Sequence, residues 1–157
     1  MLRLLFIPGI MEAGNKGACE AGASSIGLNI DLPEEQTANP YTTMSITFNH
    51  FFVRKVMLVK YATAFIIMPG GLGTLDELTE ILTLMQTHKI RPFPVVLYDS
   101  NYWKGFLGWL HDSALARGMI SEEDFDLLRI CDTPDMVIDI IEEWYKQQRI
   151  VGMRALS

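Results

Sequence analysis

An apolar run at residues 64–68 leads directly into a glycine-rich turn and then into a long amphipathic segment. A run that is apolar at every position is typical of a central strand in a parallel sheet, because both faces of such a strand are buried. Parallel strands also need a long crossover between them, usually a helix. Elsewhere in the chain, short β-branched runs alternate with longer amphipathic stretches. The sequence therefore predicts an α/β fold, a Rossmann-like parallel sheet flanked by helices.

The predicted strands and helices alternate along the chain. We expect strands at 2–7, 25–30, 64–68, 93–98 and 127–131, and helices at 9–21, 50–61, 74–87, 102–117 and 134–148. The polar connection 31–47 is longer than most loops of compact domains, which is typical of a functional or mobile segment. We expect one nucleotide-binding domain over residues 1–157, with a frayed tail at 149–157.

The composition narrows the classes of partner. The formal net charge of -6 argues against a nucleic-acid partner, since binding to a phosphate backbone needs a basic face. Cys19 and Cys131 lie in apolar segments, which favours buried thiols in a reducing compartment. No apolar run approaches the roughly 20 residues that span a bilayer, and Pro8 ends the apolar start too early for a signal peptide. We expect a cytoplasmic protein that does not bind membranes.

The strongest functional signal is the turn at residues 68–77, Met-Pro-Gly-Gly-Leu-Gly-Thr-Leu-Asp-Glu. Glycines let backbone N–H groups point into one concavity, and the helix that follows adds amides and a positive dipole end. This arrangement suits a phosphate group. No lysine follows Gly73 as in a Walker A loop, and Asp76 stands where a dinucleotide loop has its third glycine. The pattern indicates another kind of phosphate site, with a ligand-free glycine turn as the alternative.

Glu77 is the candidate catalytic residue, and two interpretations of it stay open. The spacing from Thr74 to Glu77 is that of a capping box, in which both side chains satisfy helix amides. A bound anion would compete for those amides and leave Glu77 facing the ligand. Glu80 and Thr83 follow on the same helix and could line the same face. The alternative for Glu80 is a solvated carboxylate.

A pair of cations, Arg54 and Lys55, lies inside the apolar stretch 51–58. Apolar positions at 52, 53, 56 and 59 follow helical spacing and are expected to pack. The plain interpretation is that both cations extend to water along packed stems.

The segment 69–77, preceded by Arg54-Lys55, resembles the Lonely Guy family. Its members are also labelled cytokinin riboside 5′-monophosphate phosphoribohydrolases, and older labels call them lysine decarboxylases. The segments 8–18, 27–33 and 39–41 resemble the bacterial branch of the family. The resemblance implies a modified Rossmann fold and usually a homodimer. It also implies hydrolysis of a nucleoside 5′-monophosphate, of the AMP or cytokinin riboside type, to a free base and ribose 5-phosphate.

The resemblance assigns roles to individual residues. It implies that Arg54 and Glu77 are the catalytic pair, and an acidic residue near Glu35 is a looser match. The expected substrate-binding residues are Lys55, Gly70, Gly71, Leu72, Gly73, Thr74, Thr83, Gly9 and Met11. No metal and no cofactor is expected, and no lysine is identifiable as a holder of the pyridoxal phosphate that a decarboxylase needs. One candidate for a homodimer surface is the aromatic helix with Tyr102, Trp103, Phe106 and Trp109. The alternative is that these aromatic residues belong to the core.

The chain departs from the family pattern at its start. Phe6 and Ile7 stand where relatives have glycines, and the usual first strand-helix-strand unit is not recognisable. We therefore expect an N-terminally truncated member of the family. Two alternatives to an enzyme stay open, namely a non-catalytic carrier of a nucleotide or of the molybdenum cofactor, and an inactive truncated remnant.

Overall fold

The computed structural model describes residues 9–31 and 39–154. It is a mixed α/β structure in which parallel strands form small sheets flanked by helices. The chain falls into two compact units, one ending at Tyr61 and the other beginning at Ala62. Among the described residues, each unit has a sheet of its own, with two strands in the first and three in the second.

The first unit is built on one parallel strand pair. Its described elements are α1 (Ile10–Glu20), β1 (Ile26–Ile30), β2 (Met44–Phe48) and α2 (Phe51–Tyr61). The register of β1 and β2 runs from Ile26 opposite Met44 to Ile30 opposite Phe48.

Burial is slight in the first unit. Among its described residues only Ser25 is buried, and its hydroxyl donates to the side-chain oxygen of Asn15 at 2.9 Å. Large apolar side chains are instead exposed, including Met11 at 69% and Phe52 at 67%. Within residues 9–31 and 39–61, strand pairing and polar contacts are therefore seen where the second unit has buried apolar side chains.

The second unit contains a three-stranded parallel sheet. Its elements are β3 (Phe65–Ile67), α3 (Leu72–Gln86), β4 (Val95–Tyr98), α4 (Ser100–Trp109), a π-helical segment (Leu110–Leu115), α5 (Glu122–Phe125), β5 (Leu128–Cys131) and α6 (Pro134–Arg154). The strand order is β3-β4-β5, so β4 is central. The prediction that the apolar run 64–68 is a central strand buried on both faces is wrong for this three-stranded sheet, because β3 is an edge strand in it and Ile66 is 48% exposed.

The hydrophobic core of this unit is centred on β4. Val95, Val96 and Leu97 are fully buried, as expected of a central parallel strand. On one face of the sheet, Val96 and Cys131 cluster with α6 residues, among them Val137, Ile140 and Ile141. Most of the other buried apolar side chains come from α3 and α4, namely Leu78, Ile81, Met85 and Trp103.

Most predicted elements are confirmed, with shifts at their ends, and several predictions need correction. The predicted connection 31–47 contains most of strand β2, whose residues are largely exposed and so lack the apolar run that marks a buried strand. The predicted helix 102–117 begins at Ser100 and turns into the π-helical segment at Leu110, and α5 was missed. Helix α6 continues to Arg154, past the predicted start of the tail at 149.

The structure leaves other predictions untested. The predicted strand 2–7 and Glu35 lie outside the described residues. The single-domain organisation stays a prediction. Within the described ranges, no helix combines the length and the apolar character that crossing a bilayer demands.

Candidate functional site

The turn between β3 and α3 carries most of the predicted binding residues. Helix α3 begins at Leu72, and Gly71 is its N-cap in an extended conformation, with φ -92° and ψ -154°. The amides of Thr74 and Leu75 both donate to the carbonyl of Gly71, at 3.0 and 3.1 Å. The amides of Leu72 and Gly73 precede these first helical hydrogen bonds. They are therefore the donors that a helix start presents to an anion.

The helix start decides between the two interpretations of Thr74 and Glu77. Because α3 begins at Leu72 rather than at the predicted Thr74, Thr74 is the third residue of the helix and Glu77 the sixth. Gly71 occupies the N-cap, and no side chain caps the helix. The capping-box interpretation is therefore wrong, since a capping box needs Thr74 at the N-cap and Glu77 three residues later.

The glycines of the turn differ in what the fold requires of them. A Cβ atom added to Gly70 would lie 2.8 Å from the Cβ of Thr74, so no larger residue fits there without movement. Among the residues that the structure describes, a Cβ added to Gly71 or Gly73 would meet nothing within 4 Å, and neither residue has a positive φ. The fold thus explains glycine at position 70 alone, and open space adjoins the helix start at the other two.

Glu77 lies one helical turn after Gly73, so the two share a face of α3. It is half-buried, and its neighbour Leu78 is fully buried, which fixes how the helix is rotated against the core. Glu80, one turn further, is also half-buried. The geometry places an acidic side chain on the helix face that begins at the glycine turn.

The residues that follow the neighbouring strands β4 and β5 form hydrogen bonds at the same edge of the sheet as the glycine turn. Asp99 follows β4, has a left-handed φ of 76°, and accepts a hydrogen bond from the amide of Tyr102 at 3.0 Å. Asp132 follows β5 and accepts one from the amide of Ser100 at 2.7 Å. The hydroxyl of Tyr102 in turn donates to the carbonyl of Gly70.

Sequence reasoning missed this support of the glycine turn. The sequence did contain a signal for it, an aspartate directly after each of two predicted strands. Because the carboxyl ends of parallel strands meet at one edge of a sheet, these aspartates could have been expected near the glycine turn. Of the aromatic residues predicted as a dimer surface or core, Trp103 is buried, whereas Tyr102 and Trp109 are 47% and 59% exposed.

Thr83 lies in the wall of a different cavity. A pocket of about 140 Å³ is bounded by residues of α3, α4, the π-helical segment, α5, β5 and the loops next to α5, namely Thr79, Leu82, Thr83, Gln86, Phe106, Leu110, Ile120, Asp124, Phe125, Leu127 and Leu128. With 3.6 residues per turn, Thr79 and Gln86 lie about half a turn around α3 from Glu77. Among the described residues that line this pocket, neither Glu77 nor any residue of the glycine turn is present. A ligand contact for Thr83 stays a prediction.

The predicted cations lie on α2 in the first unit. Both Arg54 and Lys55 are half-buried. The Nε–H of Arg54 donates to the carbonyl of Leu28 on β1 at 2.7 Å. The guanidinium is therefore bound to the main chain of a strand. The interpretation that Arg54 simply extends to water is wrong in this respect.

The remaining predicted binding residues belong to the start of α1. Gly9 is the extended N-cap of this helix, and its carbonyl accepts from the amide of Ala13 at 2.9 Å. Met11 is 69% exposed. Over the described part of the chain, no cluster of three or more His, Cys, Asp or Glu side chains is arranged to hold a metal ion.

Comparison with known proteins gives consistent matches. Residues 11–141 match the model of a protein family described as "Possible lysine decarboxylase". The chain is 29% identical over 146 residues to cytokinin riboside 5′-monophosphate phosphoribohydrolase LOG of Oryza sativa subsp. japonica, covering 90% of this chain and 59% of the relative. A protein of the same enzyme name from Arabidopsis thaliana is 34% identical over 139 residues, covering 87% and 63%.

A bacterial relative extends the comparison beyond plants. The cytokinin riboside 5′-monophosphate phosphoribohydrolase of Rhodococcoides fascians is 27% identical over 128 residues, covering 78% of this chain and 63% of the relative. The chain thus spans about three-fifths of the length of these curated relatives.

Proposed function

Because the chain belongs to the Lonely Guy family, whose family model is described as possible lysine decarboxylase, we propose that it hydrolyses the N-glycosidic bond of a nucleoside 5′-monophosphate. The substrate is of the AMP or cytokinin riboside monophosphate type, and the products are a free base and ribose 5-phosphate. Three relatives carry the name of a cytokinin riboside 5′-monophosphate phosphoribohydrolase. The decarboxylase description has no matching chemistry at the glycine turn, which suits an anion.

The observation that carries the proposal is the open space at Gly71 and Gly73. Neither position needs glycine for the described part of the fold, because an added Cβ would meet no atom of the described residues within 4 Å. Both lie at the start of α3, where the amides of Leu72 and Gly73 precede the first helical hydrogen bonds. A phosphate that approaches the backbone closely accounts for glycine at both positions, since a side chain there would hold it away.

Glu77 acts on the sugar once the phosphate is held. Cleavage of the bond between the base and the anomeric carbon develops positive charge on the ribose ring. A carboxylate near that carbon stabilises the charge and can accept a proton from the attacking water. The water oxygen then bonds to the anomeric carbon, and the base leaves with the electron pair of the broken C–N bond and takes up a proton. The phosphate site contributes by fixing the ribose in place.

Other parts of the proposal come from the family resemblance alone. Arg54 is assigned to catalysis, as a group that binds substrate oxygens or stabilises charge on the departing base. Lys55 is assigned to substrate binding, as are Gly9, Met11 and Thr83. A homodimer is assigned on the same ground, and analytical ultracentrifugation of the purified chain tests it.

The test of the proposal is release of free base from a panel of nucleoside 5′-monophosphates, followed by chromatography. We expect adenine from AMP or a cytokinin base from its riboside monophosphate, and far less from the nucleosides without phosphate. Glu77→Gln should lower kcat by about two orders of magnitude or more, the scale of a lost general base or charge-stabilising group.

Asp76→Asn is the matched control, because it removes the same charge from the adjacent, exposed position of α3. We expect it to change kcat by less than about threefold, since it lies on another face of the helix. Tight nucleotide binding without turnover would instead indicate the carrier function. Full activity of the Glu77 variant would remove this carboxylate from the mechanism.

A further inference from the structure

A tyrosine from α4 reaches across to the glycine turn. The hydroxyl of Tyr102 donates a hydrogen bond to the carbonyl oxygen of Gly70. Gly70 follows β3, and Tyr102 lies in the first turn of the helix after β4, so the bond joins the carboxyl ends of two paired strands. This contact connects residues that are 32 positions apart in sequence.

The bond determines which way one peptide group of the turn faces. The carbonyl of Gly70 and the N–H of Gly71 belong to the same peptide, which is planar and trans. The two groups therefore point in opposite directions. With the oxygen held by Tyr102, the Gly71 N–H is directed away from Tyr102. A peptide between two glycines has unusually many accessible orientations, so this orientation needs something to fix it.

Hydrogen bonds and ring packing hold the backbone and side chain of Tyr102 in place. The amide of Tyr102 donates to Asp99 at 3.0 Å, and the amide of Asp99 donates to the carbonyl of Cys131 on β5 at 3.0 Å. The ring of Tyr102 lies edge-on to Trp103, with 5.1 Å between centroids. Trp103 is 1% exposed, and its indole N–H donates to the carbonyl of Tyr98 at 3.0 Å.

Packing alone does not account for a tyrosine here. Its side chain is 47% exposed, so the ring is not a core residue, and its hydroxyl has a specific main-chain acceptor. We propose that Tyr102 is a positioning residue for the phosphate site, which holds the Gly70–Gly71 peptide so that the Gly71 amide faces the phosphate of the substrate. This inference rests on the proposed function, because it assumes a phosphate group at the turn.

The test compares two tyrosine-to-phenylalanine variants. Tyr102→Phe keeps the ring and its contact with Trp103 but removes the hydrogen bond to Gly70. Tyr145→Phe is the matched control, since the hydroxyl of Tyr145 also donates to a main-chain carbonyl, that of Thr63, at 2.6 Å. Thr63 lies just before β3 and Gly70 lies after it, so the control removes an equivalent bond at the other end of the same strand.

We expect Tyr102→Phe to raise KM for a nucleoside 5′-monophosphate about 5- to 15-fold, the scale of one lost hydrogen bond, with kcat changed less than about threefold. The dissociation constant of ribose 5-phosphate, measured by calorimetry, should rise by the same factor. In spectra of ¹⁵N-labelled protein, the Gly71 amide should shift on addition of ribose 5-phosphate in the parent chain and shift less in the variant. Tyr145→Phe should leave all these quantities within about twofold.

Binding and turnover separate this inference from the proposed function. If the parent chain binds ribose 5-phosphate without hydrolysing nucleotides, the enzymatic proposal fails, and the calorimetric comparison of the two variants still decides the role of Tyr102. Equal effects of the two variants, an unchanged KM, or a fall in kcat alone would overturn the inference. Absence of any phosphate binding by the parent chain would overturn both.

Discussion

Gly70 and Thr74 are in such close contact that a Cβ atom on Gly70 would lie 2.8 Å from the Cβ of Thr74. The turn into α3 therefore closes only with glycine at position 70. We expect Gly70→Ala to lower the free energy of unfolding by about 1–3 kcal/mol, because an added methyl group in a filled site forces its neighbours to move. Urea denaturation measures this. Gly71→Ala, placed in open space, serves as the control and should change the free energy of unfolding by less than about 0.5 kcal/mol.

Gly73→Ala separates the requirements of folding from those of binding. Gly73 lies inside α3, where an added Cβ meets no atom of the residues that the structure describes within 4 Å, so alanine should raise the free energy of unfolding by up to about 1 kcal/mol. The same methyl group occupies the space assigned to the phosphate. We expect the dissociation constant of AMP to rise tenfold or more, which is about 1.4 kcal/mol or more. An alanine variant that binds AMP as tightly as the parent would show that the phosphate lies elsewhere.

His111 is expected to titrate above its ordinary range. Its Nδ1 lies 2.8 Å from the carboxylate of Asp112, and this hydrogen bond, followed by the negative charge, raises the pKa of His111 from 6.5. Because the pKa is raised in the folded chain, the stabilisation is fully present below the unfolded pKa of about 6.5 and is lost as pH rises through the folded value. NMR titration should show a lower His111 pKa in Asp112→Asn, and an unchanged pKa would exclude this ion pair in solution.

The two cysteines should react with thiol reagents at very different rates. The expected burial of both thiols is wrong for Cys19 on α1, which is exposed, and confirmed for Cys131 on β5, which is 1% exposed. Burial also raises the pKa of the Cys131 thiol, which disfavours the thiolate that reacts. We expect one rapid equivalent of maleimide labelling at Cys19 in the native chain and labelling of Cys131 only in denaturant. Mass spectrometry of peptides identifies the sites. Rapid native labelling at position 131 would contradict the burial of the Cys131 side chain.

Local sequence signals were sufficient for the strand, turn and helix from 65 to 86. The apolar run at β3 and the closely spaced glycines that follow it predict a strand and a turn, and both are found. The run did not report that β3 is the edge strand of the three-stranded sheet. The helix nevertheless starts at Leu72 rather than Thr74, since Gly71 serves as the N-cap. The difference matters for the site, because it moves Glu77 from a capping position to one turn beyond Gly73.

Contacts between residues far apart in the chain could not be predicted from the sequence. Strand β2 is mostly exposed and depends on backbone pairing with β1, so its residues carry no apolar signature of their own. The contact of Tyr102 with Gly70 depends on β3 and β4 being neighbours, which no local pattern around either residue reports. The fold class and the glycine turn could therefore be predicted, whereas the support of that turn could not.

The uneven burial along the chain has a thermodynamic consequence. The heat capacity change on unfolding comes largely from apolar surface that becomes hydrated. That surface is concentrated around Val96, Leu97 and the helices of the second unit, and the described residues up to Tyr61, 9–31 and 39–61, have few buried groups to expose. The amides of β1 and β2 should accordingly exchange with solvent deuterium through low-energy local openings, while those of β4 exchange only when the whole second unit unfolds.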